Sequence, residues 1–483
     1  MKPSILIVGA GLGGCFLADA LAGSWRVIVV EPEATSLPLQ ERITDTGRPA
    51  ITSPHVGAGL GGSTNVWHNG LIEIDEQTFR ERWPFVKAEL DPYYRQAFSL
   101  LAGVSSAAVS NAAGDLQRKL TANGVPLEFL WHGLYYPRCR LNVWNALKLK
   151  GRVELVRGEV RELIPDEQGR IAAVMVSSAS GTRQWDADVV VLAAGGLGTP
   201  LLLQYLAKSL PLPGLEHAGR HYEDHPCGFV GEVTLDQPIY KLWNYAVAGG
   251  HGNLRLPMVV REGGLLVSFQ LRPAVQFHPR KRVINALNDL RNRPFDLRNY
   301  GRLLFLWDDV LEILSFRFGI NLPTRRYSLL MVAEQPPSEG RAVWQDDPGG
   351  IIYRRWETPA AYLSVLKSAI AQLLGGMSGV IRDAGVFERW ADELYSSSHH
   401  SGTARMSESP EEGVCDRNAR VHGLRNLYVC DGSLIPASGF ANTGLTIAAM
   451  ALRLAAHLRQ GLPHDVAAQE RSVTQPASSR VGL

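Results

Sequence analysis

The sequence predicts an α/β protein in which a parallel sheet is assembled from distant parts of the chain and is joined to an α+β unit with an antiparallel sheet. Three observations predict this class. The chain opens with a strand, a glycine-rich turn and a helix; a second buried strand, followed by small residues and a helix, lies near residue 190; and strand-like runs recur between residues 215 and 395. Strands that alternate with helices are typical of parallel sheets, whereas strand runs joined by turns favour antiparallel ones.

The composition is that of an ordinary soluble protein with two or three domains. The 483 residues are 45% hydrophobic and 20% charged, with a formal net charge of +2, so the charge gives no global reason to expect a nucleic-acid partner. Five cysteines without CxxC spacing argue against a disulfide framework and a zinc knuckle, and we expect a cytoplasmic protein without a metal site.

The N-terminal segment resembles a secretory signal in composition, but its glycine spacing requires those residues to stay in the mature chain. No uninterrupted apolar run elsewhere reaches the ~20 residues of a membrane-spanning helix. We therefore expect no transmembrane segment.

The first element, "SILIVGAGLGGCFLADALAGSWRVIVVEPE" (4–33), predicts a Rossmann-like dinucleotide site. Gly9, Gly11 and Gly14 follow a β-branched strand and open a helix, and a second strand ends at Glu31. A side chain at either of the first two glycines would keep a pyrophosphate from the free N–H groups of the helix N-terminus. The acid at the end of the second strand is placed to accept both ribose hydroxyls, and it disfavours a 2′-phosphate.

Two further glycine-rich elements favour FAD over NAD. "GAGLGGSTNVWHNG" (57–70) is a second loop, and the "GGST" at its centre comprises Gly61, Gly62, Ser63 and Thr64. "DADVVVLAAGGLGTPLLL" (186–203) is a buried strand followed by small residues, among them Ala194, which allow close approach of the backbone to a ligand, and by a helix with proline in its first turn. Several segments that converge on one long ligand suit FAD better than NAD.

These motifs, taken in order, resemble the glucose–methanol–choline family of FAD-dependent oxidoreductases. The resemblance also includes "WPF…LDPYYRQA" (83–97), "DHP" (224–226) and the long block that begins "HHSGTARM" at residue 399. It extends from the first strand to about residue 461, and residues 227–325 match little. It implies an FAD-binding domain of residues 1–80, 150–215 and 396–465, and a substrate-binding domain of residues 81–149 and 216–395 with a helical insertion near 278–325. Residues 466–483 are small and polar, and we expect a flexible tail there.

The resemblance also assigns further cofactor contacts and an attachment mode. It implies that Trp67 lies against the flavin, that Val160 in "VRGEV" touches the adenine, and that Asp431 and Gly432 lie at the pyrophosphate and ribityl region. Thr443 begins the last helix, whose N-terminus should face the flavin. The position where some relatives attach FAD covalently holds valine here, so non-covalent FAD is expected, and whether His68 takes part stays open.

The chemistry is predicted to rest on two residues of the C-terminal block. In the family pattern H-x-x-G the matching histidine is His399, and the second catalytic position falls on Asn442. Hydride leaves an alcohol carbon for the flavin N5 readily only when the hydroxyl proton leaves too, and an imidazole with a pKa of ~6.5 accepts that proton near neutral pH. The role of His400 stays open, and His225 of "DHP" is expected to be structural.

The segment 278–325 is rich in arginine and in apolar residues that form two helical patterns broken near Pro294. Three interpretations stay open for it: packing on the substrate domain, contact with another subunit, or peripheral contact with a membrane or a lipid-linked substrate.

The expected activity is oxidation of a CH–OH group, with oxygen or an external electron acceptor. The substrate is expected to be a small alcohol, preferably a sugar, glycoside or polyol, either free or attached to a larger carrier. A sterol or a simple alcohol is the alternative. Two other classes stay open: a non-redox lyase that retains FAD, and an assembly subunit in which FAD is only structural.

Overall fold

The computed structural model describes residues 2–33, 42–46, 56–137, 141–237, 245–273, 282–307, 310, 326–336, 338–347 and 349–473, with residues 273, 282–285, 288 and 462–473 described by backbone alone. The strands among them are β1 (Ser4–Val8), β2 (Arg26–Glu31), β3 (Ile43–Thr46), β4 (Leu134–Pro137), β5 (Glu154–Arg157), β6 (Glu159–Pro165), β7 (Ile171–Ser178), β8 (Gly181–Trp185), β9 (Val189–Leu192), β10 (Pro226–Leu235), β11 (Tyr245–Ala246), β12 (Gly252–Arg255), β13 (Met258–Glu262), β14 (Leu265–Pro273), β15 (Arg326–Ala333), β16 (Ala342–Gln345), β17 (Ile352–Arg355), β18 (Ile381–Val386), β19 (Tyr395–Ser396) and β20 (Leu427–Val429). The helices are α1 (Leu12–Leu21), α2 (Glu76–Arg82), α3 (Asp91–Ala102), α4 (Ser106–Ala122), α5 (Val143–Ala146), α6 (Gly195–Ser209), α7 (Arg282–Asn292), α8 (Leu297–Phe305), α9 (Ala360–Gly376) and α10 (Thr443–Val473).

A five-stranded parallel sheet carries the nucleotide-type motifs. Its order is β20-β9-β1-β2-β5, so neighbouring strands come from opposite ends of the chain. The inner strands β1 and β9 are almost entirely apolar and buried, as expected for a parallel sheet covered on both faces. Helix α1 packs against α10. A Cβ at Gly13 of α1 would lie 1.9 Å from the carbonyl oxygen of Cys430, which directly follows β20, so the chain approaches closely there.

An antiparallel sheet forms the second layer, as the sequence predicts. Its main path is β13-β14-β15-β10-β18, and β19 pairs with the start of β10. Residues 342–345 form β16 in a separate sheet with β17 and β3. The mixed α/β class, with a parallel sheet and a large antiparallel sheet beside smaller three-stranded sheets, is confirmed.

The described part of the predicted helical insertion contains α7 and α8, with Pro294 in the break between them. Several large apolar side chains of this pair are exposed, including Phe295 at 95%, Phe305 at 90% and Leu304 at 75%. Residues 274–281, 308–309 and 311–325 of the insertion lie outside the described residues. The three interpretations of the segment therefore stay predictions.

The last helix is longer than the sequence analysis expects. Helix α10 continues to Val473, whereas a flexible tail was expected from residue 466; the stretch "VAAQER" (466–471) is made mostly of good helix formers, which explains the extension. Residues 474–483 lie outside the described residues. In the described residues, no single helix has the length and apolarity to cross a membrane. Helices α3 and α4 reach that length and apolarity only when taken together, and the pair is bent by 87°.

Candidate active site

One large cavity, of about 1120 Å³, lies where the carboxyl ends of the parallel strands meet the antiparallel sheet. The glycine turn after β1, the loop 56–70, the start of α6, residues 395–400 and the start of α10 contribute to its wall. Ligands of open α/β sheets bind at this edge. The cavity is therefore the candidate active site.

Most of the sequence-predicted cofactor residues line this cavity. They are Gly9, Gly11, Glu31, Gly62, Ser63, Thr64, Trp67, Val160, Ala194, Asp431, Gly432 and Thr443. Gly14 and Gly61 are the two exceptions: Gly14 lies in the first turn of α1, and Gly61 lies inside the second glycine loop. A Cβ at Gly14 would lie 2.2 Å from the Gly9 carbonyl oxygen, and Gly61 has φ +97° with a Cβ position 2.5 Å from Nδ2 of Asn142.

The two glycine loops form a close-fitting cradle. Gly9 has φ +108°, and a Cβ there would lie 2.4 Å from the carbonyl oxygen of Ala193. The Gly61 N–H donates to the Ala10 carbonyl at 2.9 Å, and a Cβ at Gly62 would lie 2.9 Å from Cα of Gly11. Only glycine satisfies this geometry, which leaves backbone rather than side chains facing the cavity.

Two acids organise the nucleotide end. Burial raises the pKa of Glu31, whose Oε2 accepts the Ala10 N–H at 2.7 Å at the end of β2. Burial likewise raises the pKa of Asp431, although its carboxylate accepts hydrogen bonds from the N–H of Gly195 (2.8 Å), the hydroxyl of Thr199 (2.5 Å) and both the N–H and the hydroxyl of Ser433 (2.9 and 2.5 Å). Asp431 therefore holds the loops around the cofactor site together.

Polar atoms without partners also face the cavity. Within the described part of the chain, neither amide atom of Asn69 has a hydrogen-bond partner, although this residue is 2% exposed and adopts φ +55°. Nε2 of His400 is likewise buried without a partner, while its Nδ1 lies 2.8 Å from the Tyr222 hydroxyl. Buried polar groups are nearly always satisfied, so these atoms indicate a polar ligand. Together with the glycine cradle, they fit FAD.

The predicted catalytic pair meets on the cavity wall. Nε2 of His399 lies 3.0 Å from Nδ2 of Asn442, and Nδ1 of His399 lies 2.9 Å from Nδ1 of His225. Nε2 of His225 lies 2.9 Å from Oγ of Ser438. One set of tautomers satisfies all three contacts: the asparagine amide donates to Nε2 of His399, Nδ1–H of His399 donates to His225, and Nε2–H of His225 donates to Ser438. In this arrangement Nε2 of His399 carries a lone pair.

Burial keeps these imidazoles neutral. It lowers the pKa of His399 below its usual value of about 6.5, and it lowers the pKa of His225, beside His399, to about 3. Burial also lowers the pKa of His400 to about 4. A neutral His399 near pH 7 is the protonation state that a general base requires.

A buried carboxylate positions the loop that carries the base. Oδ1 of Asp224 accepts the backbone N–H groups of His225 (2.7 Å) and His399 (3.0 Å). Its Oδ2 accepts the hydroxyl of Ser396 and lies 3.9 Å from Nη1 of Arg354. Burial would raise the pKa of Asp224, but the neighbouring His400, Arg354 and His399 and the serine hydroxyl together lower it. Asp224 therefore stays ionised although it is fully buried.

The structure changes the role expected for His225 and places both Trp67 and His68 on the cavity wall. His225, expected to be structural, touches the ring of His399, because β10 begins beside residues 395–396. The "DHP" motif was the signal that could have found it. His68 lines the cavity, as does Trp67, whose Nε1–H donates to the Leu141 carbonyl at 3.2 Å.

Comparison with known proteins adds family information. The family model described as GMC oxidoreductase matches residues 376–451. The 2-methyl-1,2-propanediol dehydrogenase of Mycolicibacterium austroafricanum is 22% identical over 306 residues, which cover 58% of this chain and 50% of that protein. The 6'''-hydroxyparomomycin C oxidase of Streptomyces lividus is 39% identical over 84 residues, 17% of this chain and 15% of that protein. The long-chain-alcohol oxidase FAO3 of Arabidopsis thaliana is 31% identical over 104 residues, 21% of this chain and 14% of that protein. The chain thus spans half or less of the length of these curated relatives.

Solved structures match over nearly the whole chain. Pyridoxine 4-oxidase from Mesorbium loti aligns with a TM-score of 0.59 at 18% identity, and the alignment covers 95% of this chain and 99% of that one. A formate oxidase aligns with a TM-score of 0.59 at 17% identity, covering 96% and 99%. At this level of identity the alignments show that the fold is shared.

Proposed function

We propose that this chain, whose residues 376–451 match the GMC oxidoreductase model, is an FAD-dependent enzyme of that family that oxidises a CH–OH group with His399 as the general base. The observation that carries the proposal is the His399–Asn442 pair, with its nitrogen atoms 3.0 Å apart, on the wall of a cavity that also contains the glycine cradle. FAD, bound without a covalent link, would be held by the cradle, Glu31 and the orphaned amide of Asn69, and would supply the hydride acceptor.

The chain's own residues would prepare the alcohol for that transfer. Nε2 of His399 faces Asn442, so a hydroxyl that takes the place of their mutual hydrogen bond can hand its proton to the imidazole while the asparagine amide holds the same oxygen. His225 accepts from Nδ1–H and keeps Nε2 of His399 free of a proton until the alcohol arrives. Removing that proton makes the departure of hydride from the adjacent carbon favourable.

The last helix would stabilise negative charge that develops in the cavity. Thr443, Gly444 and Ile447 from the start of α10 line the wall, so the helix presents its N-terminal N–H groups there. Partial positive charge at a helix N-terminus stabilises an anionic group close to it. Apolar groups such as Phe440 and Leu330 exclude water from the same space.

For the substrate, we favour a sugar, glycoside or polyol. The support is the size of the cavity, the His/Asn pair and the similarity over 84 residues to 6'''-hydroxyparomomycin C oxidase. Other relatives, which match over 79 and 104 residues, are named cholesterol oxidase and long-chain-alcohol oxidase, so sterols and long-chain alcohols belong in the test.

The test is an anaerobic absorbance titration of the holoprotein with sugars, glycosides, polyols, sterols and primary alcohols, followed by admission of air. Bleaching of the flavin by one class identifies the substrate, and the rate of recolouring distinguishes oxygen from an external acceptor. His399→Ala should slow bleaching by roughly 10²–10⁴-fold, whereas His251→Ala, at an exposed turn, should not. Turnover without bleaching would support the non-redox lyase, and full activity of the His399 variant would reject the base assignment.

A further inference from the structure

Strand β14 gives the cavity a polar stripe on an otherwise apolar sheet. Ser268, Gln270 and Arg272 alternate along this strand, so their side chains share the face that lines the cavity. The neighbouring strands supply apolar side chains in register, namely Val332, Leu330, Cys227 and Phe229. The sheet therefore places one cation and two neutral polar groups in an apolar surround.

A second arginine reaches the same place from another sheet. Arg255, at the end of β12, is 8% exposed and lines the cavity, and its guanidinium carbon lies 4.7 Å from the centroid of the Tyr136 ring. The guanidinium carbon of Arg272 lies 5.9 Å from the same centroid. Two like charges therefore approach one aromatic ring from separate elements.

This arginine pair lies beside the catalytic pair. A Cβ built on Gly70 would be 2.9 Å from Cε1 of Tyr136 and 3.2 Å from Oδ1 of Asn442, so the ring and the asparagine border the same small gap. Burial raises the pKa of Tyr395, the residue that leads into the loop carrying His399, and the positive charge of Arg272 acts against this rise, so Arg272 lies near that residue. The two arginines therefore lie at the substrate end of the cavity.

The acids that line the cavity lie at its other end. Glu31 ends β2 and Glu33 follows it, Glu159 begins β6, and Asp431 follows β20. Within the described ranges, Arg272 donates to the amide oxygen of Gln270 at 3.0 Å and forms no salt bridge.

The charge of Arg272 has an energetic consequence. A guanidinium cannot shed its proton, and a charge that is partly removed from water is costly unless an anion pairs with it. The buried Ser268 hydroxyl also lacks a hydrogen-bond partner in the described part of the chain. The wall thus offers positive charge and a free hydroxyl group to whatever enters.

We propose that the alcohol taken by this site carries an anionic group, a carboxylate or a phosphate, which Arg272 and Arg255 bind while the hydroxyl to be oxidised lies between His399 and Asn442. This inference rests on the proposed function and specifies its substrate class. Both anions suit the planar donor fork of arginine, and an anion bound here would offset the charge of Arg272.

The test compares substrate analogues that differ only in charge. The holoprotein is titrated anaerobically with two pairs, glycerol against glycerol 3-phosphate and glucitol against gluconate, and binding is read from the perturbation of the flavin spectrum and by calorimetry. The anionic member of at least one pair should bind at least about tenfold more tightly, and this preference should shrink as salt is added. The phosphate and carboxylate arms distinguish the two anions.

Variants assign the preference to the arginine. Arg272→Met should abolish it, Arg272→Lys should retain part of it, and Arg261→Met, at an exposed position of the neighbouring strand β13, should leave it unchanged. Equal affinity within both pairs, the absence of binding by every member, or a preference that survives in Arg272→Met would overturn the inference. If the anionic analogues bind more tightly but no alcohol bleaches the flavin, the anion site is supported and the proposed alcohol oxidation is rejected. If an alcohol bleaches the flavin but the anionic analogues bind no more tightly, the proposed oxidation is supported and the anion site is rejected.

Discussion

Replacing Asp224 with asparagine tests how the loop of the base is held. The variant keeps the oxygen that accepts the N–H groups of His225 and His399, but it loses the charge and puts an amide donor where Ser396 now donates. A hydrogen bond to a charged group contributes about 1.5–3 kcal/mol and a neutral one about 0.5–1.5 kcal/mol, so the two backbone contacts together lose about 2 kcal/mol.

The ion pair adds a second contribution. At an effective dielectric constant of ~20, unit charges separated by the 3.9 Å between Asp224 and Arg354 attract by about 4 kcal/mol, but removing a fully buried carboxylate also removes its desolvation cost of several kcal/mol. Arg354 keeps its two contacts to Asp45, at 2.7 and 2.8 Å. We expect the free energy of unfolding to fall by about 2–4 kcal/mol.

The same variant should move the pH profile. The charge of Asp224 raises the pKa of His399 against the lowering effect of burial, so its removal lowers that pKa further. A base with a lower pKa stays neutral to lower pH, and the acidic limb of kcat/KM should therefore move to lower pH.

Urea unfolding of the holoprotein and a pH–rate profile measure the two effects, with Asp383→Asn on the exposed edge strand β18 as the control. Stability within about 0.5 kcal/mol of wild type, or a limb that moves to higher pH, would refute the reasoning.

Three other predictions concern the same cavity. Gly9→Ala should reduce the ratio of bound flavin to protein at least tenfold, because its Cβ would lie 2.4 Å from the Ala193 carbonyl oxygen. The control Gly23→Ala has open space around the added methyl group and should keep its flavin. A Gly9→Ala variant with full flavin content would contradict the role of the glycine cradle. His225→Ala removes the acceptor of Nδ1–H on His399, so kcat should fall roughly 10–100-fold with flavin content unchanged, and loss of flavin instead would argue against a positioning role. In the wild-type protein, burial lowers the pKa of His399, so kcat/KM should fall only below about pH 6.5. An acidic limb of the pH profile with its midpoint above pH 7 would exclude His399 as the base.

The sequence was most informative where function depends on local spacing. The glycines after β1 and the acid that ends β2 lie within one strand–turn–helix–strand unit, so their joint position follows from the pattern. His399 and Asn442 are 43 positions apart, and only the family resemblance placed them together.

The remainder of the site depends on how distant strands pair. His225 meets His399 because β10 starts beside β19, and Arg272 faces the cavity because of its register on β14. A shift of one residue in that strand would turn Arg272 to the opposite face. Arg354 is fully buried although its strand, "IYRR", gives no sign of it, since burial there depends on Asp45 and Asp224 far away in the sequence.

The order of strands in the parallel sheet also affects how the protein is made. β20, at residues 427–429, pairs with β9, and α10 covers α1, so the nascent unit of β1 and α1 has no complete surface to pack on until residues 427–473 have been synthesised. Pairing between such distant segments slows folding and leaves apolar strands exposed in the meantime. During synthesis, β1 and α1 stay without β20 and α10 for a long time, so we expect the nascent chain to depend on chaperones. Ribosome-bound chains arrested before residue 427 should not retain FAD.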